Sequence, residues 1–126
     1  MSKKIRLPKL FRTKWLTALE SGRYKQVKSN LYDGEGYCCL GVAGRCLNIK
    51  RTDLDGLGMP SDLEDVDIKL ARKFPKAIVE FKVSEVTNES EPKSTAFANT
   101  LANMNDDEDK NFKEIAAYIR KNTVGV

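Results

Sequence analysis

Hydrophobic residues recur at helical spacing near the start of the chain. They stand at i, i+4, i+7 and i+8 and form one apolar face: Phe11, Trp15, Ala18 and Leu19. Pro8 suits a first helical turn, where its missing N–H would have no partner. Gly22 is a natural residue to end the helix. The pattern therefore predicts a helix between Pro8 and Gly22.

The next segment, from Tyr24 to Tyr32, alternates apolar and polar residues with the period of two that is typical of a strand. The turn-forming run Asp33-Gly-Glu-Gly36 follows it, and Asp-Gly between two strand-like segments favours a hairpin. We therefore expect a return strand over residues 37–40. A strand-to-helix transition near Cys39 would then lead into a short buried helix that ends at about Leu47.

The rest of the chain predicts a loop, a helix, a strand and two more helices. Breaking residues fill 51–60, S-x-x-E capping spacing starts a helix at Ser61, and Pro75 ends it. Residues 77–83 alternate like a strand, and the polar, acidic residues 84–94 predict a mobile loop. Two apolar stripes at helical spacing complete the pattern: Phe97, Leu101 and Met104, then Phe112, Ile115, Ala116 and Ile119 behind a capping pair of Asn111 and Glu114.

These elements predict an α+β fold in one domain, residues 1–126, with a basic N-terminal arm at residues 1–7. A small antiparallel sheet, made of the hairpin and at least one further strand, would pack against about four or five short helices. The length of 126 residues and the 40% share of hydrophobic residues fit one domain with a modest core.

Composition indicates a cytoplasmic protein. No apolar run approaches the roughly 18 residues of a membrane helix, and the basic start is not followed by the apolar stretch of a secretory signal. The cysteines are Cys38, Cys39 and Cys46, an odd number with two adjacent, so we expect reduced thiols rather than disulfides.

Candidate chemistry is scarce. The chain has no histidine, which excludes Ser-His-Asp and Cys-His catalysis and removes the commonest metal ligand. Zinc spacing and Gly-rich phosphate motifs are absent. The acidic run 105–109 has calcium-loop spacing, but Glu108 stands where that loop needs glycine. We expect no catalytic residue, no metal, no cofactor and no enzyme activity.

Charge is distributed unevenly along the chain. Residues 1–51 hold twelve Lys and Arg residues against three acids, a net charge of +9, while the remainder carries −5. The two parts could offset each other in the fold, or they could leave a basic surface for an anionic partner. The candidate binding residues are Arg12, Lys14, Tyr24, Gln26, Lys28 and Asn30. Gln26, Asn105 and Asp106 could equally fix turns and caps.

Four segments carry a resemblance. They are Trp15-Leu-Thr-Ala-Leu-Glu-Ser-Gly-Arg-Tyr24-Lys-Gln26, Tyr37-Cys-Cys-Leu-Gly-Val42, Leu101-Ala-Asn-Met-Asn-Asp106 and Phe112-Lys-Glu-Ile-Ala116. In this order they resemble a family of small, largely uncharacterised proteins of tailed bacteriophages and prophages. The resemblance implies an accessory protein made in the cytoplasm of the infected host cell.

Two hypotheses about function follow. In the first, the protein is an inhibitor of host machinery or antiviral defence that binds a host protein or an anionic signalling nucleotide through its basic N-terminal part. In the second, it binds nucleic acid with little sequence preference, because tyrosines interleave with Arg23, Lys25 and Lys28 and could stack on bases. Neither requires a membrane, and the oligomeric state stays open.

Overall fold

The computed structural model describes residues 4–78 and 93–126, and in the segment 93–96 it describes the backbone alone. The α-helices are α1 (Lys9–Ser21), α2 (Cys39–Cys46), α3 (Arg51–Leu54), α4 (Ile68–Ala71), α5 (Lys93–Asp106) and α6 (Phe112–Asn122). Two short 3-10 helices cover Pro60–Asp65 and Lys76–Ile78. The strands are β1 (Ile5–Leu7) and β2 (Thr123–Gly125).

The predicted α+β class with an antiparallel sheet is wrong. β1 and β2 form a two-stranded parallel sheet in which Ile5 lies opposite Thr123 and Leu7 opposite Gly125. The described part of the chain is otherwise mostly helical. β1 occupies the end of the predicted N-terminal arm, where residues 5–7 pair with β2 near the other end of the sequence.

The predicted hairpin does not form, although its turn does. The Asp33 carboxylate accepts hydrogen bonds from the N–H groups of Glu35 and Gly36, at 2.9 and 3.0 Å. On either side of that turn the structure has isolated bridges instead of a ladder, and the bridge between Gln26 and Tyr37 is parallel. Ser29, at a φ of 69°, interrupts the extended backbone that the alternating pattern predicted.

The four longer helices agree with the sequence predictions. α1 ends at Gly22, whose φ of 80° is the left-handed conformation that glycine adopts at little cost. α6 begins with the predicted capping pair, in which Asn111 Oδ1 accepts from the Glu114 N–H at 2.8 Å and the Glu114 carboxylate accepts from the Asn111 N–H at 2.9 Å. The short buried helix after Cys38 is α2.

The middle of the chain differs from its prediction. The expected loop over residues 51–60 contains α3, and the expected helix after Ser61 is divided into a 3-10 helix and the single turn α4. Asp67 divides them, because its carboxylate caps α4 by accepting from the Lys69 N–H at 3.0 Å. Of the predicted strand 77–83, residues 77–78 lie in a 3-10 helix and the rest lies outside the described residues. The predicted mobile loop 84–94 also lies outside the described residues as far as residue 92, and its last two residues, 93–94, belong instead to the start of α5.

The core forms where α1 packs against α2 and α6. Trp15 is fully buried, stacks on Phe11 at 5.3 Å between ring centroids, and donates its indole N–H to the Cys39 carbonyl at 3.0 Å. Gly41 permits the close approach of α2 to the preceding segment, since a Cβ there would lie 1.8 Å from the Leu31 carbonyl oxygen. Within the described ranges, no helix is long and apolar enough to cross a membrane.

Candidate functional site

A buried amide joins three segments of the chain. Asn105, near the end of α5, is 1% exposed. Its Oδ1 accepts from the side-chain amide of Gln26 at 2.9 Å and from the Cys39 N–H at the start of α2 at 3.2 Å. Its Nδ2 donates to the Val27 carbonyl at 2.8 Å and to the Asp106 carboxylate at 2.9 Å. All four hydrogen-bonding positions of the Asn105 amide are thus used inside the protein.

Two neighbours complete this amide network, which we define as Gln26, Asn105 and Asp106. Gln26 also donates to the Lys110 carbonyl at 2.8 Å, and Asp106 accepts from the Ser29 N–H at 2.8 Å. These contacts hold residues 26–29 against the end of α5. Residues 26–29 belong to the segment for which the sequence pattern predicted a strand. All three side chains thus make hydrogen bonds that fix the local fold.

A small cavity of about 250 Å³ lies beside the amide network. We call it the polar pocket, and it is lined by Gln26, Val27, Lys28, Asn105, Asp109, Lys110 and Asn111. Its polar groups are largely occupied, since Lys28 forms an ion pair with Asp109 and Asn111 caps α6. That ion pair raises the pKa of Lys28 and lowers the pKa of Asp109. The ion pair leaves Lys110 as the remaining charged side chain in the lining of the polar pocket.

The structure separates the six candidate binding residues. Gln26 and Lys28 line the polar pocket, whereas Lys14 and Tyr24 line a larger cleft described below. Arg12 serves the fold, because its guanidinium donates to the Thr123 hydroxyl at 2.8 Å and to the Arg120 carbonyl at 3.2 Å. Asn30 is half-buried and lines neither cavity.

A basic cleft of about 420 Å³ opens between α1 and the end of α2. Its walls are formed by Thr13, Lys14, Thr17, Ala18, Ser21, Arg23, Tyr24, Arg45, Cys46 and Asn48. Three of these residues are cations and none is an acid. The basic cleft therefore concentrates positive charge with no carboxylate in its lining to neutralise it.

The cations of the basic cleft are available to a ligand. In the described part of the chain, no hydrogen bond or ion pair engages the ammonium group of Lys14 or the guanidinium of Arg23. Arg45 donates one N–H to the Ile49 carbonyl at 2.8 Å and meets no carboxylate. By contrast, Lys25 pairs with Glu35 at 3.2 Å.

Helix dipoles account for part of this charge. Arg45 lies in the last turn of α2, where a cation stabilises the helix dipole. Lys14 stands in the middle of α1, whose last turn holds no basic residue, so the same explanation does not extend to Lys14.

Cys46 provides a chemical probe within the basic cleft. Burial raises the pKa of its thiol, and the nearby cations Lys14 and Arg45 partly oppose that rise. The other thiols are buried, and burial raises the pKa of Cys38 to about 11 and that of Cys39 well above its usual value. No thiol in the described residues is therefore activated as a nucleophile, and the described residues form no metal-binding cluster.

Sequence reasoning missed most of the basic cleft. One signal was present, because Thr13, Thr17 and Ser21 recur at i, i+4 and i+8 beside Lys14 and mark a second, polar face of α1. Arg45 and Asn48 could not be added to that face from the sequence. Their place depends on how α2 packs against α1.

The described residues thus form a small, mostly helical protein with a basic cleft between α1 and the end of α2. The chain belongs to the family described as a domain of unknown function, DUF8296, whose sequence model matches residues 7–123. That match spans both the amide network and the basic cleft. No curated protein and no solved structure matches the chain.

The amide network yields a stability prediction. Asn105→Ala should lower the free energy of unfolding by at least about 2 kcal/mol, because it leaves buried partners such as the Cys39 N–H and the Val27 carbonyl unpaired. The measurement is urea denaturation followed by circular dichroism. Asn103→Ala, an exposed position on the same helix, is the control and should change stability by less than about 0.5 kcal/mol. Equal effects of the two substitutions would contradict the structural role.

The cations beside Cys46 yield a pH prediction. Lys14→Gln should raise the pKa of the Cys46 thiol, because it removes a positive charge that favours the thiolate. The rate of alkylation by iodoacetamide, measured against pH, should therefore reach its midpoint at a higher pH than in the unsubstituted protein. Lys9→Gln lies on α1 outside the cleft lining and should leave the midpoint in place. A downward or absent shift in Lys14→Gln would contradict this arrangement of charges.

Proposed function

We propose that this protein is a non-catalytic binding protein that captures a small phosphate-bearing anion in the basic cleft. The observation that carries the proposal is the group of three cations, Lys14, Arg23 and Arg45, in one cavity whose lining contains no carboxylate. Charge-assisted hydrogen bonds from Lys and Arg to phosphate oxygens are among the stronger polar contacts available to a protein.

The size of the basic cleft supports a small ligand. Its volume of about 420 Å³ falls within the roughly 300–1,000 Å³ that is typical of small-molecule sites. Two cations outside it, Lys25 and Lys28, are paired with carboxylates. Three cations that meet no carboxylate among the described residues thus share one cavity. This favours a small anion over the alternative of sequence-tolerant nucleic-acid binding.

The resemblance to phage and prophage proteins supports a biological role. As an accessory protein in the cytoplasm of an infected cell, the protein would withdraw a signalling molecule and so inhibit host machinery or antiviral defence. Capture needs no chemical step, which agrees with the lack of histidine in the chain. A host protein that presents an acidic surface to the same cleft is the alternative partner.

Charge reversal in matched pairs tests the proposal. Lys14→Glu with Arg23→Glu should weaken binding of pyrophosphate at least tenfold in calorimetric titration, because each lost charge-assisted contact contributes about 1.5–3 kcal/mol. The control, Lys25→Glu with Lys28→Glu, changes the net charge equally outside the basic cleft. It should change the dissociation constant by less than about threefold, since exposed charges act weakly at a distance in water.

Other results would overturn the proposal. Absence of pyrophosphate binding by the unsubstituted protein at low salt would exclude capture of a phosphate-bearing anion. Equal loss of pyrophosphate affinity in the two double variants, together with an affinity for oligonucleotides that falls steeply as salt is raised, would support the nucleic-acid alternative. The tagged protein could instead retain a host protein from lysate in a stoichiometric amount. If the Lys14 and Arg23 substitutions abolish that retention, the result would support an inhibitor that binds a host protein.

A further inference from the structure

The lining of the basic cleft combines cations with a thiol. Lys14, Arg45 and Cys46 share that lining, and both cations favour the thiolate form of Cys46. Two cations beside one thiol suit the two or three oxygens of a single phosphate group.

The lining of the basic cleft also contains an aromatic ring. Tyr24 is half-buried, and its ring contacts Tyr37 edge to face, with 5.3 Å between centroids and an interplanar angle of 83°. Tyr37 in turn packs on Tyr32 at 4.9 Å, and the Arg51 guanidinium lies 5.9 Å from the Tyr32 ring centroid. These contacts fix the orientation of the Tyr24 ring, so a planar ligand can stack on it with little loss of side-chain freedom.

We infer that the ligand of the basic cleft is a nucleoside phosphate, bound with its phosphate between Lys14 and Arg45 and its base against Tyr24. This inference rests on the proposed function and adds the class and orientation of the ligand. The exposed hydroxyls of Thr13 and Thr17, one helical turn apart on the same wall, lie along the cleft. Within residues 4–78 and 93–126 these hydroxyls make no hydrogen bond, and they are available to the sugar hydroxyls.

Protection of Cys46 from alkylation reports directly on the assigned position of the phosphate between Lys14 and Arg45. Iodoacetamide modification of the native protein is located by peptide mass spectrometry, and the buried Cys38 and Cys39 serve as internal controls. The probes, tested separately, are inorganic phosphate, ribose 5-phosphate, adenosine, and AMP, GMP, CMP and UMP. Each probe is titrated to find the concentration that halves the rate of alkylation of Cys46.

We expect inorganic phosphate and ribose 5-phosphate to protect Cys46 at high concentration. At least one of the four nucleotides should protect at a concentration at least about fivefold lower, because its base stacks on Tyr24. Tyr24→Leu should abolish this fivefold advantage without changing protection by ribose 5-phosphate. Tyr24→Phe keeps the ring and should keep the advantage, which separates stacking from a general effect of substitution at this position.

The outcomes separate this inference from the proposed function. If ribose 5-phosphate protects as well as all four nucleotides, and Tyr24→Leu has no effect, the nucleoside assignment is wrong while anion capture stands. If adenosine protects as well as AMP, the assigned position of the phosphate is wrong. If no probe protects Cys46 and pyrophosphate does not bind in calorimetry, the inference and the proposed function both fail.

Discussion

The hydrogen bonds of the Asn105 side chain are the interaction on which the arrangement of the other parts depends. A buried amide is stable only when its donors and acceptors are paired, and here the partners come from three separate parts of the chain. Two bonds reach residues 26 and 27, one reaches the first N–H of α2, and one stays on α5. The irregular segment after α1 and the start of α2 are thereby fixed with respect to α5. The basic cleft lies where α2 ends beside α1, so its shape depends on the same contacts.

Pairing divides the basic residues of the N-terminal part into two groups with different consequences. Arg12 holds β2, and Lys25 and Lys28 meet carboxylates on the surface. Such exposed ion pairs contribute little to stability, but they reduce the charge left for a partner. Lys14, Arg23 and Arg45 meet no carboxylate among the described residues, and they share one cavity. Part of the charge asymmetry in the sequence is thus concentrated in the basic cleft.

Local signals explain which parts of the fold the sequence could predict. α1 and α6 combine helical apolar spacing with residues suited to their ends, and α5 has the apolar spacing alone. These signals act within a few residues. The hairpin prediction was wrong because the alternation over residues 24–32 reflects distant partners instead. Gln26 bonds Asn105, which lies 79 positions away, and Ser29 bonds Asp106. The basic cleft could be predicted only in part for the same reason. Its α1 wall has a pattern visible in the sequence, whereas Arg45 and Cys46 reach the cleft through helix packing.

We propose that an anion binds in the basic cleft and not in the polar pocket. The most direct test is a titration of the isotope-labelled protein with pyrophosphate, followed by backbone amide chemical shifts in nuclear magnetic resonance spectra. We expect the largest shift changes within residues 13–24 and 45–48. Changes concentrated within residues 26–30 and 105–111, or spread evenly over all exposed lysines, would contradict it.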